Sequence, residues 1–264
     1  MAMTNRYRSL AALLGAVLLA SCGKDAVQTI TAPATGASIK FFNFGVNAPS
    51  VNFYANDTKM TAVSSTSGTE STTGTSYGGA GNAGLYSNIA PGPYTFSGRI
   101  AATTDKNLPI SNLQATLEDG KYYSFYQSGF YDANAKTIDG FLVEDPFPAQ
   151  FDFSVAYVRF VNAISNSSPM TLYAMDPNSS AETAVGAEVP YKSAGAFTAL
   201  PNGVYNLGAR TTGSTTNVLS RNTVSFVGGR VYTITARGDI NVASTSTTTC
   251  ASTNKTCLDN TTNR

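Results

Sequence analysis

One stretch of this chain occurs twice, and the duplication limits what the chain can fold into. The segment IKFFNFGVNAPSVNFYAND (39–57) aligns without a gap with VRFVNAISNSSPMTLYAMD (158–176). Two further pairs of blocks follow in the same order: PGPYTFSGR (91–99) with NGVYNLGAR (202–210), and LEDGKYYSFY (117–126) with FVGGRVYTIT (226–235). A repeat of this length implies two copies of one folding unit.

Within each copy, apolar and polar residues alternate. In the first copy Val51, Phe53 and Ala55 are separated by Asn52 and Tyr54. Alternation with a period of two, rich in aromatic and β-branched residues, is typical of half-buried strands. After residue 22 the sequence has no helical periodicity. We therefore predict an all-β fold of two tandem antiparallel β-sandwich domains, immunoglobulin- or transthyretin-like, of about seven strands each.

Glycine-containing turns separate the strands. Asp119-Gly120 and Gly228-Gly229 occupy equivalent places in the two copies, between alternating runs. Such pairs are typical of two-residue hairpins, in which both turn residues have positive φ. We therefore predict a hairpin at each pair.

The domain boundaries follow from composition. We place the domains at residues 37–145 and 155–241, joined by a proline-containing linker at 146–154, because proline blocks helices and central strands. An insertion at 64–84 is nearly free of large apolar residues, which predicts a mobile loop. The remaining predicted segments are a signal peptide (1–21), a lipidated linker (22–36) and a Ser/Thr-rich tail (242–264).

The N-terminus predicts membrane attachment through lipid. Two arginines precede the short apolar run Leu10 to Ala20, a pattern typical of a secretory signal peptide. The run is too short to span a bilayer as a helix. It ends in Leu-Ala-Ser-Cys, which resembles the bacterial lipobox, so Cys22 is the predicted lipidation site and the ordinary secretion signal with a chance cysteine is the alternative. Acyl chains on Cys22 would anchor the protein, and glycine rather than aspartate at position 23 resembles an outer-membrane rather than an inner-membrane lipoprotein.

The two remaining cysteines lie close together near the C-terminus. In an oxidising envelope compartment Cys250 and Cys257 are expected to form a small-loop disulfide. A metal site is the less favoured reading, since two thiols without histidine cannot complete a tetrahedral ligand set. No metal or other cofactor is predicted.

Composition argues against several functions. Charged residues make up only 12% of the chain, the formal net charge is +1 and histidine is absent. A near-neutral chain without basic clusters argues against nucleic-acid binding. Without histidine, Ser-His-Asp and Cys-His catalysis are excluded. The acid pairs Glu118-Asp119 and Glu144-Asp145 fall at a turn and at the start of the linker, where we interpret them structurally rather than as glycosidase acids.

Three short motifs are better explained by structure. GAGNAG (79–84) matches a dinucleotide-binding pattern but has no strand–helix context. Arg237-Gly238-Asp239 matches an adhesion triplet but follows a strand, which favours a strand-exit turn. The loop from Asp132 to Asp139 offers oxygen ligands for a weak Ca²⁺ site, although turn capping by short polar side chains is favoured.

Two sets of recurring polar side chains remain. Asn43 and Asn162 fall in the inward phase of the first strand of each copy, and a buried amide must be hydrogen-bonded. We interpret both as core amides that hold the neighbouring loop, with a ligand-facing amide as the alternative. Four tyrosines form a candidate binding surface for glycans or proteins, although ordinary cross-strand pairing also explains them. They are Tyr54, Tyr173, Tyr122 and Tyr126.

The opening strands of both copies resemble a known family. A strand of basic, aliphatic and asparagine residues, a proline turn and a following tyrosine are similar to domain-of-unknown-function family 4397, a family of bacterial envelope domains. The resemblance covers most of residues 37 to 240 and implies tandem immunoglobulin- or transthyretin-like sandwiches behind a signal peptide. It departs at Asn52 and Thr171, where family members often have aspartate. The family has no established activity, so the resemblance supports the fold.

Together these features predict a lipid-anchored cell-envelope protein without enzymatic activity, which acts as a binding or structural module at the outer membrane or cell surface. Sheet faces and end loops would carry the contacts. Two alternatives remain open at this stage. One is a periplasm-facing accessory subunit of an envelope complex, and the other is a small hydrolase that works without histidine.

Overall fold

The computed structural model describes residues 35–61, 73–251 and 253–264. Residues 35–264 form one compact unit. The predicted signal peptide, Cys22 and the linker up to residue 34 lie outside the described residues. Within the described part, none of the helices is long and apolar enough to cross a membrane.

The described residues of the first repeat form nine strands. They are β1 (Ala37–Val46), β2 (Val51–Ala55), β3 (Thr58–Lys59), β4 (Gly79–Ala80), β5 (Ser87–Ile89), β6 (Gly92–Ile100), β7 (Leu113–Leu117), β8 (Tyr122–Asp132) and β9 (Thr137–Glu144). A single 3-10 turn at Gly81–Gly84 follows β4.

The second repeat also contains nine strands. They are β10 (Val155–Asn162), β11 (Met170–Met175), β12 (Glu182–Val189), β13 (Ser193–Ala194), β14 (Thr198–Pro201), β15 (Gly203–Thr211), β16 (Leu219–Phe226), β17 (Val231–Arg237) and β18 (Cys257–Thr262). The predicted all-β class is confirmed.

Each repeat is a sandwich of two sheets. In the first repeat, sheet 1 has the order β4-β1-β8-β9 with β5 also on β1, and sheet 2 has the order β3-β2-β6-β7. In the second repeat, sheet 3 has the order β13-β10-β17-β18 with β14 also on β10, and sheet 4 has the order β12-β11-β15-β16. The pairs β1–β8 and β10–β17 are parallel, so sheets 1 and 3 are mixed rather than purely antiparallel as predicted.

The inward-facing residues of each sandwich form its core. Val51, Phe53 and Ala55 pack with Phe41 and Phe125 in the first repeat, as their alternation predicts. A second core of the same kind fills the space between sheets 3 and 4. A fully buried phenylalanine contributes about 1.5–3 kcal/mol relative to an exposed one, so these cores account for much of the stability of each sandwich.

The two predicted hairpins are wrong. Asp119-Gly120 joins β7 in sheet 2 to β8 in sheet 1, and Gly228-Gly229 joins β16 in sheet 4 to β17 in sheet 3. Of these four turn residues only Gly120 and Gly229 have positive φ, 72° and 74°. A primed hairpin turn needs two such residues, whereas here one left-handed residue lets the chain cross between sheets.

Part of the predicted mobile insertion is ordered structure. Residues 62–72 lie outside the described ranges, but Gly79 and Ala80 pair with Asn43 and Phe42 of β1. The GAGNAG motif therefore forms an edge strand and a single turn, with no helix after it to receive a dinucleotide.

The C-terminal residues are not a tail outside the second sandwich. Cys257–Thr262 forms β18, which pairs with β17 along its length. The Cys250–Cys257 disulfide is present as predicted and joins the start of β18 to the preceding loop. The Ser/Thr composition that suggested a tail is also compatible with an edge strand that has one polar face.

Candidate functional site

A third buried cluster joins the two repeats. Phe42, Phe44 and Tyr126 of sheet 1 pack against Val161 and Ala163 of the second repeat. The layers therefore run in the order sheet 2, sheet 1, sheet 3, sheet 4. The ring of Tyr126 stacks on Phe42 at 4.7 Å between centroids, in the middle of this interface.

An ion pair is buried beside this cluster. We call the region around it the junction, which consists of Lys40, Ser124, Asp145, Arg159, Thr233 and Asn263. Arg159 Nη2 donates to Asp145 Oδ1, and both side chains are essentially inaccessible to solvent. Tyr86 Oη and Ser124 Oγ donate to Asp145 Oδ2 at 2.5 and 2.8 Å. The acid that was interpreted as the start of the linker thus binds three protein groups through its carboxylate.

Arg159 is also bound through its other nitrogens. Its Nη1 donates to the carbonyl oxygen of Glu144 at 2.8 Å, and its Nε donates to Thr233 Oγ1 at 3.0 Å. Phe197 lies 4.9 Å below the guanidinium. Removing one partner of such a pair leaves an uncompensated buried charge, which costs about 3–5 kcal/mol.

Lys40 is the second buried cation of the junction. Its Nζ donates to Asn263 Oδ1 at 2.6 Å and lies 4.4 Å from the centre of the Tyr86 ring. Burial lowers the pKa of Lys40 to about 8, with the nearby Asp145 raising it and Arg159 lowering it further. A lysine with this pKa is partly neutral near pH 8 and still donates to the asparagine oxygen.

Two tyrosines of the interface stay protonated. Burial and the negative charge of Asp145 raise the pKa of Tyr86, so its hydroxyl remains a donor to that carboxylate. Burial raises the pKa of Tyr126 to about 12. The prediction that Tyr126 lies on a binding surface is wrong, because sheet 3 covers it and leaves it 1% exposed.

Arg237 forms another buried contact between the repeats. Its Nε donates to Asp259 Oδ2, and its guanidinium lies 4.8 Å from the ring centre of Tyr77 in the first repeat. Because Arg237 is 2% exposed and ends β17, the Arg-Gly-Asp triplet is a strand exit, as interpreted from the sequence. An adhesion receptor could not reach this arginine.

The two recurring asparagines are core amides. Asn43 Nδ2 donates to the carbonyl oxygen of Thr75 at 2.9 Å, and its Oδ1 accepts from Gln127 Nε2 at 3.0 Å. Asn162 Oδ1 accepts from the amide of Ile164 at 3.0 Å. Both asparagines are fully buried, which confirms the structural interpretation.

Tyr54 and Tyr173 lie on the outer faces of sheets 2 and 4, where each packs under an arginine. Tyr54 is only 8% exposed, so the prediction that its ring lies on a binding surface is wrong. The guanidinium carbon of Arg99 lies 4.3 Å from the ring centre of Tyr54, and that of Arg210 lies 4.3 Å from Tyr173. Each arginine also pairs with a carboxylate: Arg99 with Asp57 at 3.0 Å, and Arg210 with Glu182 at 2.5 Å. We call these the two Tyr–Arg platforms.

Tyr122 lies elsewhere. It lines a cavity of about 510 Å³ next to the linker, together with Phe147, Phe151 and Arg264. The structure therefore does not bring the four predicted tyrosines together: two lie on opposite outer sheets, one lies at this cavity and Tyr126 is buried.

The possible metal ligands have other partners. Cys250, Cys257 and Asp259 lie close together, but the disulfide uses both sulfurs. In the candidate Ca²⁺ loop, Asp132 Oδ1 accepts from the amides of Asn134 and Ala135 at 2.8 and 2.9 Å, which is turn capping. These two hydrogen bonds also lower the pKa of Asp132.

Sequence reasoning missed the junction, although one signal pointed to it. In the alignment of the repeats, Lys40 is equivalent to Arg159. Both lie in the strand phase that points away from the core, where a basic residue is normally expected to face solvent. Tyr77 and Tyr191 also recur, in SYGGAG and PYKSAG, and both contact the other repeat: Tyr77 packs on Arg237 and Tyr191 bonds Ser128.

Comparisons with known proteins agree with the resemblance seen in the sequence. Residues 156–262 match the family described as domain of unknown function DUF4397. The second repeat is therefore similar to this family, whose description gives no activity. No curated protein matches the chain.

One solved structure with a match is a leucine-rich repeat protein from Bacteroides thetaiotaomicron. It is 10% identical, with 79% of this chain and 27% of that chain covered and a TM-score of 0.21. The present chain thus spans about a quarter of that protein, and at this TM-score the likeness carries no argument.

Proposed function

We propose that this chain is a lipid-anchored protein of the cell envelope that acts without catalysis, as a binding or structural module at the outer membrane or cell surface. The anchor rests on the sequence of the signal peptide and Cys22. The non-catalytic role rests on the contacts of the buried charged groups.

The main observation in favour of a non-catalytic role is that each acid at the linker cavity forms an ion pair with a basic residue. Asp145 and Glu144 line this cavity, as paired acids of a hydrolase would. However, Asp145 is bound to Arg159, and Glu144 lies 3.1 Å from Lys121 Nζ. Each carboxylate is thus held by a cation of the protein itself, so the two acids do not form the free, convergent pair that glycoside hydrolysis needs.

The outer sheets support a binding role. The two Tyr–Arg platforms present a guanidinium and a carboxylate on the two outer faces of the stacked sheets, and the second also presents the half-buried ring of Tyr173. Tyrosine and arginine are enriched at protein interfaces and among the residues that contribute most to binding. The module would therefore bind through its sheet faces, while the sheets between them hold the repeats together.

Metabolic labelling with a palmitate analogue tests the anchor. We expect wild-type protein to be labelled and to fractionate with membranes, and Cys22→Ala to be unlabelled. The double variant Cys250→Ser/Cys257→Ser is the matched control, since it removes the other two cysteines and should keep the label. Labelling of Cys22→Ala, or no labelling of the wild type, would contradict the proposed anchor.

Protease treatment of intact cells then tests the location. Digestion in intact cells supports the surface module. Protection until the outer membrane is ruptured supports instead a periplasm-facing accessory subunit, and would contradict the surface role.

A further inference from the structure

Equivalent strand positions in the two repeats meet at the junction. Lys40 is paired in register with Ser124 across β1 and β8, and Arg159 is paired with Thr233 across β10 and β17. Asp145 follows the last residue of β9, and Asn263 follows the last residue of β18. The backbone amides of Asp145 and Asn263 donate to the carbonyl oxygens of Tyr122 and Val231, respectively. These two residues are the first of β8 and β17.

The contacts across the junction are reciprocal. The basic residue of the second repeat, Arg159, binds Asp145 of the first, and the basic residue of the first, Lys40, binds Asn263 of the second. Within each repeat the same kind of bond recurs: Ser124 Oγ donates to Asp145, and Asn263 Nδ2 donates to Thr233 Oγ1. In a two-fold interface residue i contacts residue j of its partner, and j contacts i in return.

The aromatic neighbours follow the same rule. Tyr86 and Phe197 occupy equivalent places just before β5 and β14, and each packs its ring on the basic residue of its own repeat, at 4.4 and 4.9 Å. Tyr77 and Tyr191 each reach across to the other repeat. These aromatic contacts give the interface a second set of reciprocal pairs besides the polar ones.

We propose that the faces of sheets 1 and 3 form a self-complementary, dimer-type interface contained in one chain, so that the partner this face fits is a second copy of the repeat. The junction has two equivalent halves, one with an ion pair and one with a neutral acceptor. The buried carboxylate can occupy either half of the junction, provided that the cation it binds lies opposite it.

The different residues in the two halves also disfavour one alternative pairing. Two copies of the second repeat would bury Arg159 twice opposite Asn263, with no carboxylate for either guanidinium. Buried charges without partners are strongly destabilising, so this pairing is disfavoured. The linker adds to the preference, because it makes the pairing within one chain an intramolecular event.

Thermal unfolding at neutral pH of the full chain tests the equivalence. Asp145→Asn should lower the Tm by roughly 10 °C, because Arg159 loses its anion. The exchange variant, Lys40→Arg/Asp145→Asn/Arg159→Lys/Asn263→Asp, moves the ion pair to the other half of the junction. It should recover at least about half of that loss, since equivalent positions then meet with exchanged residues.

A single variant keeps the test informative if Asp145→Asn does not fold. Asn263→Asp alone gives Lys40 a carboxylate in place of the amide, and its Tm should equal or exceed that of the wild type. An exchange variant no more stable than Asp145→Asn would overturn the proposal. A loss in Asn263→Asp as large as that in Asp145→Asn would overturn it as well.

Discussion

Single residues of the junction set how the protein responds to pH. Lys40 is buried between Asp145, Arg159 and Tyr86, and its pKa is lowered to about 8 from 10.5. Between these two values the unfolded chain binds a proton at Lys40 that the folded chain lacks. The free energy of unfolding therefore rises as the pH rises through this window, and the unfavourable contribution is complete below the folded pKa.

We expect the wild-type free energy of unfolding to increase by about 2 kcal/mol between about pH 8 and pH 9.5. Lys40→Met retains the length of the side chain but cannot titrate, so its curve should be flatter by that amount. Urea unfolding at several pH values measures both. Tyr126, with a pKa raised to about 12, contributes the opposite slope above about pH 10, so the range stops before it. The same dependence of the free energy of unfolding on pH in both proteins would show that Lys40 does not cause the increase.

Strands and turns show which parts of the fold a single sequence predicts. The alternation in β2 identifies its core-facing residues correctly, because side-chain period and burial are both local properties. The turn at Asp119-Gly120 was misread, because a glycine with positive φ serves a crossover between sheets as well as a hairpin. Contacts distant in sequence determine which strand a given segment pairs with. The turn residues alone do not indicate this partner.

The outer strands carry a prediction about binding. Wild-type protein should bind in a glycan array through the Tyr–Arg platforms. Because the two platforms lie on opposite outer faces, they bind independently, and Arg99→Gln or Arg210→Gln should each remove about half of the binding sites. The double variant should not be retained.

Arg230→Gln is the matched control for this binding experiment, since it removes an exposed arginine from a turn. It should bind as the wild type does. Equal retention of the wild type and the double variant would exclude the platforms as the binding surface for these probes.

The whole molecule is two sandwiches stacked through their mixed sheets. The duplication, the strands, the disulfide and the core amides Asn43 and Asn162 follow from the sequence. The junction does not, because a strand face with Lys40 and Ser124 has the same pattern whether water or another sheet covers it. Only the position of the other repeat decides this, and it also explains why Tyr126 is buried although Ser124 and Ser128, in the same phase of the strand, are polar.

The two repeats bind each other through this face, and cleavage of the linker tests this interaction most directly. A protease site inserted after Ala149 would allow the folded full-length chain to be cut between the repeats. We predict that the two fragments remain together on size-exclusion chromatography at micromolar concentration, and that Asp145→Asn weakens their association. Separation of the wild-type fragments into two peaks after cleavage would contradict the account.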